Sequence, residues 1–190
     1  LSATETTHAG DVLMTIAYAA LDSARGNSGA IMAEFFQGLA EAAGQCERLT
    51  ATEFGHALAT GSRYARGALE TPVEGTILTA ISAFTDAIHR SGKSNPDCIA
   101  EMLSGAVEAA RQAVESTRTG LSAMRQAGVE DAGARGFLLL VEGFTESTLA
   151  TGAIPRAPLV APDGPTPKIL QAASEDLAYR YCVECVIAGR

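Results

Sequence analysis

Apolar and small side chains recur along the first 150 residues at the spacing of one helical face. The first such segment covers residues 11–24, and Ile31, Phe35 and Leu39 continue the pattern in a second one. Steps of three and four residues are typical of amphipathic helices rather than strands. The pattern therefore predicts an all-α fold, an antiparallel bundle or barrel of about six to eight helices.

Capping and turn residues predict where these helices begin and end. Thr50 and Glu53 have the spacing of a capping box, which predicts a helix start at this point. Proline disfavours helix at the residue before it, so Thr71-Pro72 marks the end of that helix, at about Leu69. The other predicted boundaries are a stop at Ser91-Gly92, a start at Asn95-Pro96, an end near Arg118, a short helix Leu121–Gln126 and a last helix from Phe137 to about Leu149.

The composition changes after residue 150. Five of the seven prolines fall between residues 151 and 167, which is typical of an extended linker. Residues 177–187 are rich in Tyr, Val and Cys and alternate enough to predict a β-strand. We therefore expect a helical domain over 1–150, then a linker and the first strand of a truncated second domain over 151–190.

Charge and composition narrow the classes of partner. The net charge of −8 and the absence of Trp argue against binding nucleic acid or an anionic lipid surface. No apolar run has the roughly 18 residues that span a bilayer, so no membrane insertion is expected. The four cysteines (46, 98, 182 and 185) follow no secretory signal, which favours a reduced, cytoplasmic setting. The three histidines are scattered and predict no metal or catalytic site.

Three glycine-containing loops, Arg25–Gly29, Val73–Thr76 and Asp131–Gly136, each precede a predicted helix. Asn27 and Ser28 are predicted to cap the helix after the first loop. If the helices start at one end of the bundle, their free N–H groups would converge there and suit the phosphates of a nucleotide. The alternative is that these loops are ordinary connections, since none matches a P-loop or a Rossmann fingerprint.

The same loops resemble a known family. Residues 24–31, Ala-Arg-Gly-Asn-Ser-Gly-Ala-Ile, resemble the A-R-G-N-S-G-V-I loop of the nucleotide-binding L-type domain of dihydroxyacetone kinases. Residues 72–79 resemble the P-V-E-G-T-I-L-T segment of the branch found in bacterial fatty acid kinases and in their fusions to DegV-type domains. Residues 127–136 are similar to A-G-V-V-D-A-G-G-Q-G, and residues 179–184 to the Y-G-Y-C-T-E strand that opens the following domain.

The resemblance implies a helical barrel that binds ATP or ADP at one end. In that arrangement Gly26, Asn27, Ser28 and Gly29 cradle the phosphates. Thr76 and Ile77 lie near the nucleotide, and Gly133 and Arg135 close the pocket. The third loop departs from the family in having Ala134-Arg135 in place of Gly-Gln. Family members also carry an aspartate-rich P-D-G-D-T-G-T-N segment that holds Mg²⁺, and we expect these ligands upstream of Leu1.

The implied activity is transfer of the ATP γ-phosphoryl group to a fatty acid carboxylate. The acid would be presented by a fatty-acid-binding DegV-type protein or fused domain, and the fragment alone would be inactive without the upstream aspartates. A homodimer is a further expectation. The alternatives are a phosphotransfer subunit of the dihydroxyacetone (glycerone) kinase type, a regulatory module that senses a nucleotide, and a helical interaction domain that binds none.

Overall fold

Seven α-helices form the regular structure of residues 8–94 and 99–150, the part of the chain described by the computed structural model. Their bounds are α1 Ala9–Ser23, α2 Gly26–Ala43, α3 Ala51–Gly67, α4 Ile77–Ser94, α5 Ile99–Gly120, α6 Ser122–Ala127 and α7 Ala132–Leu149. The predicted all-α bundle is confirmed, and the number of helices lies within the predicted range. None of these seven helices is both long enough and apolar enough to cross a membrane.

Short connections make helices that are consecutive in the chain into neighbours in the bundle. α1 packs on α2, α2 on α3, α3 on α4, and α4 on α5. α7 returns to pack against both α4 and α5, while the short α6 contacts α5. Two packed helices joined by a short link run antiparallel. The N-termini of α2, α4 and α7 can therefore lie at the same end of the bundle.

The predicted helix boundaries are partly confirmed. The capping box is present: the Thr50 N–H donates to Glu53 Oε2 at 2.8 Å, and the Glu53 N–H donates to Thr50 Oγ1 at 3.3 Å. The predicted stop at Ser91-Gly92 is wrong, because α4 continues to Ser94. A glycine inside a helix costs only about 1 kcal/mol, which the apolar face of α4 outweighs. The predicted restart at Asn95-Pro96, Cys98, the linker 151–167 and the strand 177–187 lie outside the described residues.

Three phenylalanines join α2, α4 and α7 at the centre of the bundle. The ring of Phe137 meets that of Phe35 at a centroid distance of 5.7 Å and that of Phe84 at 5.9 Å, both nearly perpendicular. All three side chains are buried. Edge-to-face pairs of this kind add about 0.5–1.5 kcal/mol each to the gain from burial. Because Phe137 lies one turn into α7, the cluster fixes the start of α7 against α2 and α4.

An apolar cleft of about 390 Å³ opens on the side of the bundle where α1 and α7 face each other. Its lining includes Leu13 and Ile16 from α1 and Leu140 and Phe144 from α7. Leu140 and Phe144 remain 43% and 47% exposed, and the Phe144 ring stacks on Phe54 at 6.0 Å. Large apolar side chains at this exposure mark a part of the core that the described helices leave open.

The hydroxyl of Thr85 on α4 is buried and has no hydrogen-bond partner among residues 8–94 and 99–150. A buried unpaired hydroxyl loses its hydration without compensation, so we expect Thr85→Val to raise the free energy of unfolding by about 1 kcal/mol. The control is Thr145→Val, because buried Thr145 donates to the Val141 carbonyl at 2.7 Å and should lose stability. Denaturant unfolding measures both, and a loss of stability in Thr85→Val would contradict the assignment.

The capping box also predicts a pH dependence. Hydrogen bonds from the Thr50 backbone N–H and then from its hydroxyl lower the pKa of Glu53 below 4.5. A carboxyl with a lowered folded-state pKa stabilises the fold above its unfolded pKa, and this gain is lost as the pH falls through the folded value. We therefore expect Glu53→Gln to be less stable than the parent chain at neutral pH, and the difference to vanish in acid.

Thermal unfolding between neutral and acidic pH tests this expectation. Glu146→Gln is the control, since Glu146 is exposed near the end of α7 and belongs to no capping box. A stability difference for Glu53→Gln that stays constant or grows toward acid would contradict the proposed contribution of the carboxylate.

Candidate functional site

The first predicted loop is shorter than expected, because α2 begins inside it. Only Ala24 and Arg25 connect α1 to α2, and Gly26 already belongs to the helix. Gly26 has φ +62°, a conformation that favours glycine, and this sharp turn starts the helix. The prediction that Asn27 and Ser28 act as caps is wrong, because Arg25 occupies the N-cap position and, in the part of the chain that the structure describes, no side chain caps the helix.

The start of α2 consequently presents uncapped backbone donors. Asn27 and Ser28 are exposed and lie in the first turn, where helix geometry provides no carbonyl four residues earlier within the helix. Gly29 differs, since its N–H donates to the Arg25 carbonyl at 3.3 Å. Free N–H groups and the positive end of the helix dipole together suit an anion such as a phosphate.

The third predicted loop is also helical. α7 begins at Ala132, so Gly133 and Arg135 lie in its first turns, and the predicted start at Phe137 is wrong by five residues. Asp131 causes the early start, because its carboxylate Oδ1 accepts from the Ala134 N–H at 2.7 Å and caps the helix. The Arg135 N–H then donates to the Asp131 carbonyl at 3.0 Å, as in a regular α-helix.

The starts of α2 and α7 touch each other. A Cβ placed on Gly133 would lie 2.5 Å from Ser28 Oγ and 3.1 Å from Ser28 Cβ. A side chain at position 133 would therefore force Ser28, a residue of another helix, to move. The structure thus brings together two of the three sequence motifs, the first at Ser28 and the third at Gly133.

The second loop, Val73–Thr76, is held by its own hydrogen bonds. Thr76 Oγ1 donates to the Val73 carbonyl at 2.7 Å, and the Gly75 N–H donates to Thr79 Oγ1 at 2.8 Å. The side chain of Ile77 is only 2% exposed and belongs to the hydrophobic core. Of the two predicted site residues in this motif, Thr76 is therefore the more accessible, and Ile77 can offer a ligand only its backbone.

The second loop contacts the last turn of α5. A Cβ on Gly75 would lie 3.2 Å from the Gly120 Cα, and Gly75 itself has φ +78°. Glu74 anchors the same loop, because it accepts a hydrogen bond from Thr79 and pairs with Arg66. The loop of residues 73–76 thus lies beside the C-terminus of α5.

Thr117 is the residue at this end that the sequence analysis missed. Its side chain is fully buried in α5, and its Oγ1 accepts a hydrogen bond from the Asp131 N–H at 3.0 Å. It therefore links the end of α5 to the cap of α7. A threonine on the apolar face of a helix, three residues before a glycine, is the only sequence signal, and it does not identify the partner.

Two arginines belong to the segments in which α2 and α7 begin. Arg25 and Arg135 are exposed, and within residues 8–94 and 99–150 neither guanidinium has a carboxylate in ion-pair range. Arg25 instead donates to the carbonyls of Ala24, at 2.7 Å, and Asp22, at 3.3 Å. The chain as a whole is acidic, with a net charge of −8. Cations without a carboxylate partner in the segments where helices begin are a local exception to this charge, and they favour an anionic ligand.

A metal site is not formed by the described residues. In the ranges 8–94 and 99–150 no three His, Cys, Asp or Glu side chains come close enough to hold an ion. Asp131, the carboxylate nearest the Ser28–Gly133 contact, is already engaged as the α7 cap. The donor set here is therefore N–H groups and guanidinium, which fits phosphate and does not fit Mg²⁺.

These features define an all-α domain in which the uncapped start of α2 adjoins the start of α7, which Asp131 caps. A family model, the DAK2 domain, matches residues 1–146, which is most of the chain. The chain belongs to the DAK2 domain family, the L-type domains of dihydroxyacetone kinases, which are kinase-associated nucleotide-binding modules. The family named from the sequence motifs is thereby confirmed, while the fatty acid kinase branch stays a prediction.

Three staphylococcal proteins, described only as uncharacterized, are similar to this chain. Over 184 residues, the identity is 29% for the protein of Staphylococcus saprophyticus, 28% for one of Staphylococcus epidermidis and 27% for one of Staphylococcus aureus. Each alignment covers 94% of this chain and 33% of the relative. The chain therefore spans about a third of the length of the curated relatives it matches.

The contact between the two helix starts predicts an energetic coupling. We expect Gly133→Ala to be less favourable with Ser28 present than in the background Ser28→Gly, with a coupling of about 1 kcal/mol, because the new methyl group meets the serine side chain. The control is Gly136→Ala, whose Cβ would meet nothing within 4 Å and should show no coupling. Denaturant unfolding of the double-mutant cycle measures the coupling. A value near zero would contradict the contact between the two helix starts.

Proposed function

We propose that this chain is the ATP-binding domain of a kinase that phosphorylates a fatty acid carboxylate. The observation that carries the proposal is the contact of the α2 and α7 starts at Ser28 and Gly133, with the uncapped start of α2 directly after Arg25. Membership of the DAK2 family supports a nucleotide as the anion. The location is proposed to be cytoplasmic, where ATP is available.

The phosphates of ATP would bind at the uncapped start of α2. The amides of Asn27 and Ser28 lie in its first turn, and the Ser28 hydroxyl is exposed beside them. Neither Gly26 nor Gly29 carries a side chain, so a phosphate can approach the backbone closely. N–H donors held by a helix need no rearrangement to meet the charge, which is the main contribution a protein makes to phosphoryl transfer.

The guanidinium groups of Arg25 and Arg135 would neutralise the phosphate charge that the backbone N–H groups of α2 do not compensate. Arg135 stands two residues after Gly133 in α7, and Arg25 immediately precedes α2. Thr76 adds a hydroxyl from the second loop. Ile77 would contribute through its backbone alone, because its side chain is in the core.

The proposed reaction transfers one phosphoryl group. A carboxylate oxygen of the fatty acid forms a bond to the γ-phosphorus of ATP, while the bond between that phosphorus and the β–γ bridging oxygen breaks. ADP leaves with the electron pair of the broken bond, and the product is an acyl phosphate. Because the described residues do not fit Mg²⁺, no step is assigned to the ion within this chain.

The fatty acid branch is proposed from sequence motifs. Residues 72–79 and 127–136 are similar to that branch, and residues 179–184 resemble the strand that follows its L-type domain. A fatty-acid-binding protein or fused domain of the DegV type is the proposed partner that holds the acyl chain. The greater length of the staphylococcal relatives is compatible with further domains in proteins of this kind.

Calorimetric titration of the chain with ATP, with and without Mg²⁺, tests the nucleotide site. We expect binding, and we expect Ser28→Ala to weaken it about tenfold, because a hydrogen bond to a charged phosphate is lost. Ser147→Ala, which removes an exposed hydroxyl at the opposite end of α7, is the control and should bind as the parent chain does.

Two results would contradict the proposal. If the parent chain binds no ATP under either condition, the chain is not a nucleotide site on its own and the interaction-domain alternative takes precedence. If Ser28→Ala and the parent chain bind equally well, the phosphates do not lie at the start of α2.

A further inference from the structure

The hydroxyl of Thr117 makes two hydrogen bonds in a fully buried position. Oγ1 donates to the Val114 carbonyl at 2.6 Å within α5 and accepts from the Asp131 N–H at 3.0 Å. The second bond joins residues 14 positions apart and leaves α5 for the segment that starts α7. The two bonds use the hydroxyl as donor and as acceptor at once, which a methyl group cannot do.

Asp131 connects this hydrogen bond to the start of α7. Its N–H is held by Thr117, while its carboxylate accepts from the Ala134 N–H at 2.7 Å. Gly133 lies between Asp131 and Ala134 in the chain, and it is the residue that touches Ser28 of α2. A displacement of Asp131 would therefore move the contact between the two helix starts.

The neighbouring ion pair cannot replace this bond. Arg118 and Glu130 pair at 3.0 Å across the same two segments, with the arginine side chain 57% exposed. An exposed pair of long side chains contributes about 0–1 kcal/mol and tolerates movement of the backbone. Of these two links between α5 and the segment before α7, the Thr117 hydroxyl is the one that bonds the backbone N–H of Asp131, the N-cap residue of α7.

We propose that Thr117 is a positioning residue of the nucleotide site, which holds the start of α7 in register against the start of α2. The inference rests on the proposed function, because it concerns the affinity of that same site. Thr117 is buried and does not touch the nucleotide. Loss of its hydroxyl leaves the Asp131 N–H without its acceptor, so the α7 cap loosens and the two helix starts separate.

The first test measures the hydrogen bond without any ligand. Thr117→Val keeps the shape of the side chain and removes the hydroxyl, and Thr117→Ser keeps the hydroxyl. We expect amide hydrogen exchange at Asp131 and Ala134, followed by NMR, to become faster in Thr117→Val and to remain close to the parent rate in Thr117→Ser. Unchanged exchange in Thr117→Val would overturn the inference, whatever the chain binds.

The second test measures the consequence for binding. In the ATP titration we expect Thr117→Val to bind about tenfold more weakly than the parent chain, and Thr117→Ser within about twofold of it. Thr145→Val is the matched control, since it removes a second buried hydroxyl, bonded to Val141, from α7 well beyond its first turns. It should lose stability and keep its affinity for ATP.

The outcomes separate the two proposals. If the parent chain binds ATP and Thr117→Val binds it equally well, the positioning role is overturned while the proposed function stands. If Thr145→Val weakens binding as much as Thr117→Val, the effect is general destabilisation and the inference is overturned. If the parent chain binds no ATP, the proposed function fails, and the positioning role in that site fails with it. Should Thr117→Val not fold, Thr117→Ala is compared with Thr117→Ser below its unfolding temperature.

Discussion

The packing of Phe137 against Phe35 and Phe84 is the interaction on which the candidate site depends. The three rings come from α7, α2 and α4 and meet edge to face in the core. Phe137 is four residues after Gly133, so its burial fixes the first turn of α7 beside α2. Apolar burial supplies most of the energy, and within this packing the hydrogen bonds of Asp131 and Thr117 hold the start of α7 in register.

The two helix starts differ in electrostatics. The start of α7 is closed by the Asp131 carboxylate, whereas the start of α2 has no side-chain cap. An anion therefore meets negative charge at one helix and open donors at the other, so α2 is the better place for a phosphate. α7 contributes its close approach to Ser28 at Gly133.

The structural features that depend on local sequence patterns could be predicted from the sequence. The helical faces and the Thr50–Glu53 capping box follow from residues three or four positions apart, and both were predicted. The three motifs were recognised, but two of the predicted loops are helical, because the φ of Gly26 and the cap of Asp131 start α2 and α7 earlier. Thr117 could not be predicted, since its partner is set by the packing of α5 against α7 and by no local spacing.

The motif glycines show that one residue type can satisfy different physical demands. Gly26 is required by its own backbone angle, and a side chain there would find open space. Gly133 has no such backbone demand, and a Cβ there would instead collide with the side chain of Ser28. A change at either glycine alters the fold and the candidate site together. Ser28 and Thr117 are more informative positions, because a single hydroxyl can be removed there without a change of backbone angle and without a new side chain between the two helix starts.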